Sequence, residues 1–183
     1  DLQVASLNGR LDGFQVKWSR FSGTVTFRDL IVPRNGGLSW IAQLADGWRR
    51  LRKSNAGRRV VTHFVTNDSP SNRDVLPGTD TSDPPRHFAA FIAECWIPLT
   101  LSGEGKNEPR FRRWQPAWKA LVDSSGLSPE EFDAFARDCR LDFLQTLAEA
   151  LPPTSDSPLR ARGSQTSRED LDALNGAVFR LVA

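Results

Sequence analysis

Cysteine and histidine are scarce, with two of each in 183 residues. Cys95 and Cys139 show no CxxC spacing, and two histidines are too few for a zinc site of familiar pattern, so both thiols are expected to be buried and free. Long apolar runs are missing too. No stretch approaches the roughly 18 to 20 apolar residues that span a bilayer, and no leader of the charged, apolar, small-residue type is seen. The expectation is a cytoplasmic protein with no membrane partner. Neither GxxxxGK[ST] nor GxGxxG occurs, which excludes a phosphate-loop NTPase or a dinucleotide-binding fingerprint from this segment. Strong net charge is also absent: +2 at neutral pH and a pI near 8.8 make no case for nucleic acid on overall balance.

What is present is an ordinary globular composition, 39% hydrophobic and 25% charged, enough for one folded domain with some appended structure. The first residue is Asp1 rather than Met, and DLQVASL already has the pattern of a strand. A fragment of a longer chain is therefore expected. Residues 1–7 and 13–18 (GFQVKW) are β-prone runs separated by Asn8-Gly9 and Asp12-Gly13 turn pairs, the pattern of a hairpin. TVTF (24–27) predicts a short strand. Leu38, Ile41, Ala42, Leu44, Ala45, Trp48 and Leu51 form one helical stripe, predicting a helix to about Lys53. RRVVTHFVTN (58–67) predicts a central buried strand.

Residues 68–86 are a long polar loop, after which the pattern is mostly helical: His87–Trp96, Phe111–Leu121, and a helix from the Ser128-Pro129-Glu130-Glu131 cap to about Arg140. LDFLQTL fits a strand or a helix start. Residues 152–166 form a second loop, and Ser167 and Asp170 cap a last helix. The expected organisation is one domain over 1–150, with 151–183 ending it or leading into a downstream domain. Trp40, Trp48, Trp96, Trp114 and Trp118 lie at helical spacing among apolar residues and are expected in the core rather than stacked on bases. His63 and His87 have no visible partner and are assigned no catalytic role.

Within DGFQVKWSR, strand alternation puts Phe14, Val16 and Trp18 on one face and Gln15, Lys17 and Ser19 on the other. The apolar face is expected to pack on the Leu38–Leu51 helix, leaving the polar one to be explained. An edge strand with a solvated lysine would suffice by itself. Context adds Asp1 on the preceding strand, a strand–helix–strand order behind, and basic clusters at Arg49, Arg50, Arg52, Lys53, Arg58 and Arg59. A carboxylate, an amide oxygen and an ammonium on adjacent strands suit metal-assisted phosphodiester hydrolysis. From clustering alone the arginines fit a solvated helix face as well as a phosphate-facing one.

The words DLQVASLNGRLDGFQVKWSR, TVTFRDL, LSWIAQLADGWRRLRK and RRVVTHFVTN, in that order, resemble the N-terminal double-stranded DNA endonuclease domain of CD-NTase-associated effectors and of related bacterial antiphage proteins with STAND-type ATPase domains. That family is a branch of the PD-(D/E)xK superfamily, and it places an Asp on one strand and Gln-x-Lys on the next. The resemblance implies an α/β fold: a restriction-endonuclease-like mixed sheet, here without its first helix and strand, and a helical C-terminal portion. It implies Asp1, Gln15 and Lys17 as catalytic residues. Mg²⁺ or Mn²⁺ would be held by Asp1, Gln15 and the carbonyl of Val16. DNA contacts would come from Ser19, Arg20, Arg49, Arg50 and Lys53. Its partners would be double-stranded DNA, a downstream sensor or ATPase domain, and further copies of the chain on activation, the fragment alone being inactive. Gln where Glu is common leaves a second class of function open, a catalytically inactive nuclease-fold module for DNA binding or protein interaction. A third is a helical adaptor in which Gln15 and Lys17 are merely an exposed strand face.

Overall fold

A computed structural model describes residues 2–5, 9–33, 36–77, 87–102 and 109–144. In chain order the elements are β1 (Leu2–Ala5), β2 (Leu11–Lys17), β3 (Thr24–Val25), α1 (Phe27–Ile31), α2 (Trp40–Ser54), β4 (Val60–Thr66), β5 (Ser69–Pro70), α3 (Phe88–Phe91), a wide π turn (Ile92–Trp96), α4 (Ile97–Ser102), α5 (Pro109–Ser125), α6 (Pro129–Arg137) and β6 (Cys139–Asp142). The fold is mixed α/β. Its main sheet has the order β1-β2-β4-β6, with β1 antiparallel to β2 and with β2, β4 and β6 mutually parallel. A parallel pair needs a long crossover, supplied first by α2 and then by the helices between β4 and β6. β3 and β5 form a separate two-stranded parallel ribbon.

The hairpin is present, with Leu2 opposite Phe14 and Ala5 opposite Leu11, but Asp12 and Gly13, expected in its turn, are paired within β2. α2 starts where Ser39 caps the Ala42 N–H, and its stripe of Ile41, Leu44, Ala45, Trp48 and Leu51 is buried. β4 is buried at every position except His63. The Ser128 capping box and Pro129 start α6. Both thiols are buried and neither forms a disulfide. Trp48, Trp96, Trp114 and Trp118 are buried and Trp40 packs against the core. Among the described residues no helix is long and apolar enough to cross a membrane.

Four further expectations need correction. TVTF is a strand only at Thr24 and Val25; Thr26 instead closes a capping box with Asp29, and Phe27 opens α1. The Asp74 carboxylate accepts from the backbone N–H groups of both Phe27 and Phe88, at 2.7 and 3.0 Å, tying the starts of α1 and α3 together. The Ser128-capped helix stops at Arg137, and Cys139 already belongs to β6, where the indole Nε1 of Trp96 donates to the Cys139 carbonyl at 3.1 Å. Helical structure from Phe88 to Ser102 is interrupted by the π turn, which ends just before Pro98. Proline has no N–H with which to continue a regular ladder.

The fourth concerns the faces of β2. A Cβ on Gly13 would come within 2.5 Å of the Leu51 side chain, and the Gln15 side chain reaches Gln43 of α2. The face holding Gly13, Gln15 and Lys17 therefore lies under α2. Phe14 lies on the opposite face, stacked on His63 with ring centroids 4.6 Å apart. The apolar residues of the strand turn away from α2, the reverse of what alternation suggests. Residues from 145 onward, with the predicted second loop and last helix, lie outside the described residues.

Candidate functional site

Gly13, Gln15 and Lys17 follow one another along the α2-facing side of β2. Without a side chain at Gly13, Leu51 packs directly onto the strand and α2 sits close to the sheet. Gln15 Nε2 donates to Gln43 Oε1 at 2.7 Å, and Gln43 Nε2 donates in turn to the Leu38 carbonyl at 2.8 Å. The chain of amides fixes which way Gln15 points. Its Oε1 is buried and accepts no hydrogen bond. A buried acceptor without a donor is uncommon in native proteins.

A cleft of about 270 Å³ opens here, lined among others by Gly13, Gln15, Gln43, Gly47, Arg50 and Thr62. Arg50 pairs with Asp46 at 3.2 Å on the helix surface, so the cleft has a cation in its wall. Lys17 is two residues on, which along a strand is about 6.6 Å. Its ammonium lies 5.8 Å from the centroid of the Trp40 ring, a cation–π contact that draws the charge back over α2. Val16 pairs with Val65 in the parallel ladder, and its side chain turns to the other face.

Ser19 and Arg20 follow at the carboxyl end of β2. Ser19 is built into the structure: its N–H donates to Asn67 Oδ1 at 3.1 Å and its hydroxyl to Asp68 Oδ1 at 2.7 Å. Asp68 also accepts from the Gly23 N–H at 2.6 Å. Arg20 is exposed beside Phe21, itself 78% exposed. Arg49 turns toward α6, where it pairs with Glu131 at 3.0 Å. The backbone N–H of Ser128, with Arg49 second, holds the Glu131 carboxyl below the usual range. Lys53 is exposed on the last turn of α2. Asp1 lies outside the described residues. Among those that are described, no three histidine, cysteine or acidic side chains converge as metal ligands.

The opposite face carries a cluster that sequence reasoning left unassigned. His63 Nε2 is 3.0 Å from Asp12 Oδ1 and its Nδ1 is 2.9 Å from Asp142 Oδ2. Arg10 meets both oxygens of Asp12, at 2.9 and 3.0 Å. One imidazole thus links β2, β4 and β6. The ladder register pairs His63 with Phe14 and Arg140, a fact available only once the strand order is known.

No family model matches the chain, and a search of curated proteins returns no match. The chemistry available at the α2-facing site is an oxygen acceptor without a donor, a nearby ammonium and a cleft that reaches the sheet.

Proposed function

We propose that the chain is the core of a metal-dependent endonuclease acting on double-stranded DNA in bacterial antiphage defence, with a restriction-endonuclease-like sheet. The observation that carries this reading is the unpartnered Gln15 Oε1 in a cleft, on the same strand face as Lys17. A carbonyl oxygen is the hard donor that Mg²⁺ or Mn²⁺ takes, so the residue fits the group. In this reading Asp1, Gln15 Oε1 and the Val16 carbonyl would hold the ion. β1 runs antiparallel to β2 with Leu2 opposite Phe14, so its start lies one residue from Gln15, which suits an acid supplied there. The ion, when bound, lowers the pKa of a water and offsets phosphate charge. Lys17 releases the Trp40 face and stabilises negative charge building on the phosphate oxygens. Gln43 keeps Gln15 from rotating its oxygen away. Arg20, Arg50 and Lys53 take backbone phosphates near the site; Ser19 and Arg49 act by holding their segments.

Activation by self-association through a downstream sensor or ATPase domain belongs to the same reading, so the test uses the uncut protein. With Mg²⁺ and supercoiled plasmid, Lys17→Ala should lower the cleavage rate at least about 100-fold while leaving the melting temperature unchanged. Cleavage at the parent's rate by Lys17→Ala would overturn the assignment. A second reading, a nuclease-fold module that binds without cutting, is favoured by the Gln15–Gln43 bond and the Lys17–Trp40 contact, which occupy both motif side chains internally. It predicts duplex binding by the parent with no cleavage under any divalent ion.

A further inference from the structure

A second cleft lies beside the C-terminal half of α2. About 390 Å³ in volume, it is lined by Trp48 and Arg52 of α2, Arg58 and Arg59 of the turn into β4, and Arg137 and Asp138 at the end of α6. That volume falls within the roughly 300–1,000 Å³ of small-molecule sites. The first cleft also runs along α2 as far as Ser54, but the two share no lining residue: Gly47, Arg50, Leu51 and Ser54 line the first, Trp48 and Arg52 the second.

Three of the four arginines are held in position, while Arg137 is exposed. Arg52 lies over the Trp48 ring, its guanidinium carbon 5.0 Å from the centroid. Arg58 donates through Nε to the Gly9 carbonyl at 3.3 Å, and Arg59 through Nε to Asp138 Oδ1 at 3.1 Å. Both anchors use the inner nitrogen, so the terminal N–H groups stay available as donors. Asp138 is the lone carboxylate among four guanidinium groups in the lining. Trp48 is only 2% exposed, and its indole Nε1 has no hydrogen-bond partner. An indole nitrogen can only donate. The cleft thus offers fixed positive charge together with a buried donor that lacks an acceptor, and the ligand that answers both is an oxyanion.

We propose that this cleft binds a phosphate-bearing anion, with Arg52, Arg58, Arg59 and Arg137 as charge-assisted donors and the Trp48 indole as a neutral one. Asp138 holds the Arg59 guanidinium and keeps the cleft from collecting anions without selection. The proposal is independent of the nuclease reading, since no residue is shared with the Gln15 cleft. The phosphate has two possible sources, a free polyphosphate or nucleotide and the backbone of a nucleic acid.

The test is a titration of the ¹⁵N-labelled chain with pyrophosphate at low ionic strength, following the indole N–H signals and assigning that of Trp48 by Trp48→Phe. A saturable shift centred on the Trp48 signal is expected. Arg52→Gln and Arg137→Gln, on different elements, should each weaken pyrophosphate at least about tenfold at unchanged melting temperature, with Arg137→Lys between parent and Arg137→Gln. Should one glutamine variant unfold, the other decides. Displacement of pyrophosphate by a short DNA duplex identifies the backbone as the source; a duplex without effect identifies the free anion. No saturable shift, a shift spread evenly over the indoles, or glutamine variants that bind as the parent does would each overturn the proposal.

Discussion

On the side of the sheet under α2, Gln15 makes one hydrogen bond and leaves an oxygen unmatched; on the other side, Arg10, Asp12, His63 and Asp142 satisfy one another. Both groups are polar, partly buried and carried by β2 and its neighbours. What separates them is completeness. A network whose members pair with one another ties strands together, whereas an acceptor kept dry without a donor costs stability. In the proposed reading the difference gives the His63 side a structural role and the Gln15 side a binding one.

Removing His63 tests that division most severely. His63→Ala leaves the buried Asp12 carboxylate with Arg10 alone and frees Asp142, so it should cost roughly 3 kcal/mol, measured as a lower urea midpoint. Gln15→Ala removes one neutral bond and should cost no more than about 1 kcal/mol while abolishing the function of its cleft. If the two variants lose equal stability, the division between structural and binding faces is wrong. A double-mutant cycle of His63→Ala with Asp12→Asn should show strong coupling, because each partner loses its value without the other.

Gly13→Val probes the spacing on the α2 side. A Cβ there already meets Leu51 at 2.5 Å, and two further methyl groups must push α2 outward, at about 2 kcal/mol. The shift should also move Gln43 off Gln15, so loss of the site should accompany loss of stability.

The sequence made much of this layout legible wherever the cause is local. The α2 stripe, the β4 run, the Ser128 cap and the hairpin each follow from neighbours within a few residues. The direction of the β2 faces did not follow, because alternation tells which residues share a face and not which face meets the helix. Val61 and Val65, on the His63 side, are also buried, so neither side of the sheet is a wet one and apolar residues mark no inside. The His63 cluster joins positions 51 and 79 residues apart. Likewise, Arg137 enters the second cleft only through the packing of α6. Asp1 and everything from residue 145 onward stand outside the comparison.

Cys139, on the α2-facing side next to Thr62, gives the finest probe of how dry that side is. Burial pushes its thiol up from 9.0 to about 12. The folded state thus resists the thiolate, and the linkage has one sign: stability from this group is complete below pH 9.0 and is lost as the pH rises through about 12. Each pH unit inside that window should remove about 1.4 kcal/mol. The background is favourable, since the chain has no tyrosine and only four lysines. Between about pH 8 and pH 10 the parent should therefore lose more stability than Cys139→Ala, by about 1.4 kcal/mol, and Cys95→Ala serves as the thiol control. Parallel losses in parent and Cys139→Ala would mean that the thiolate is solvated in the fold. The sheet would then be wet beneath α2, and the unmatched Gln15 oxygen would have water rather than a ligand as its partner.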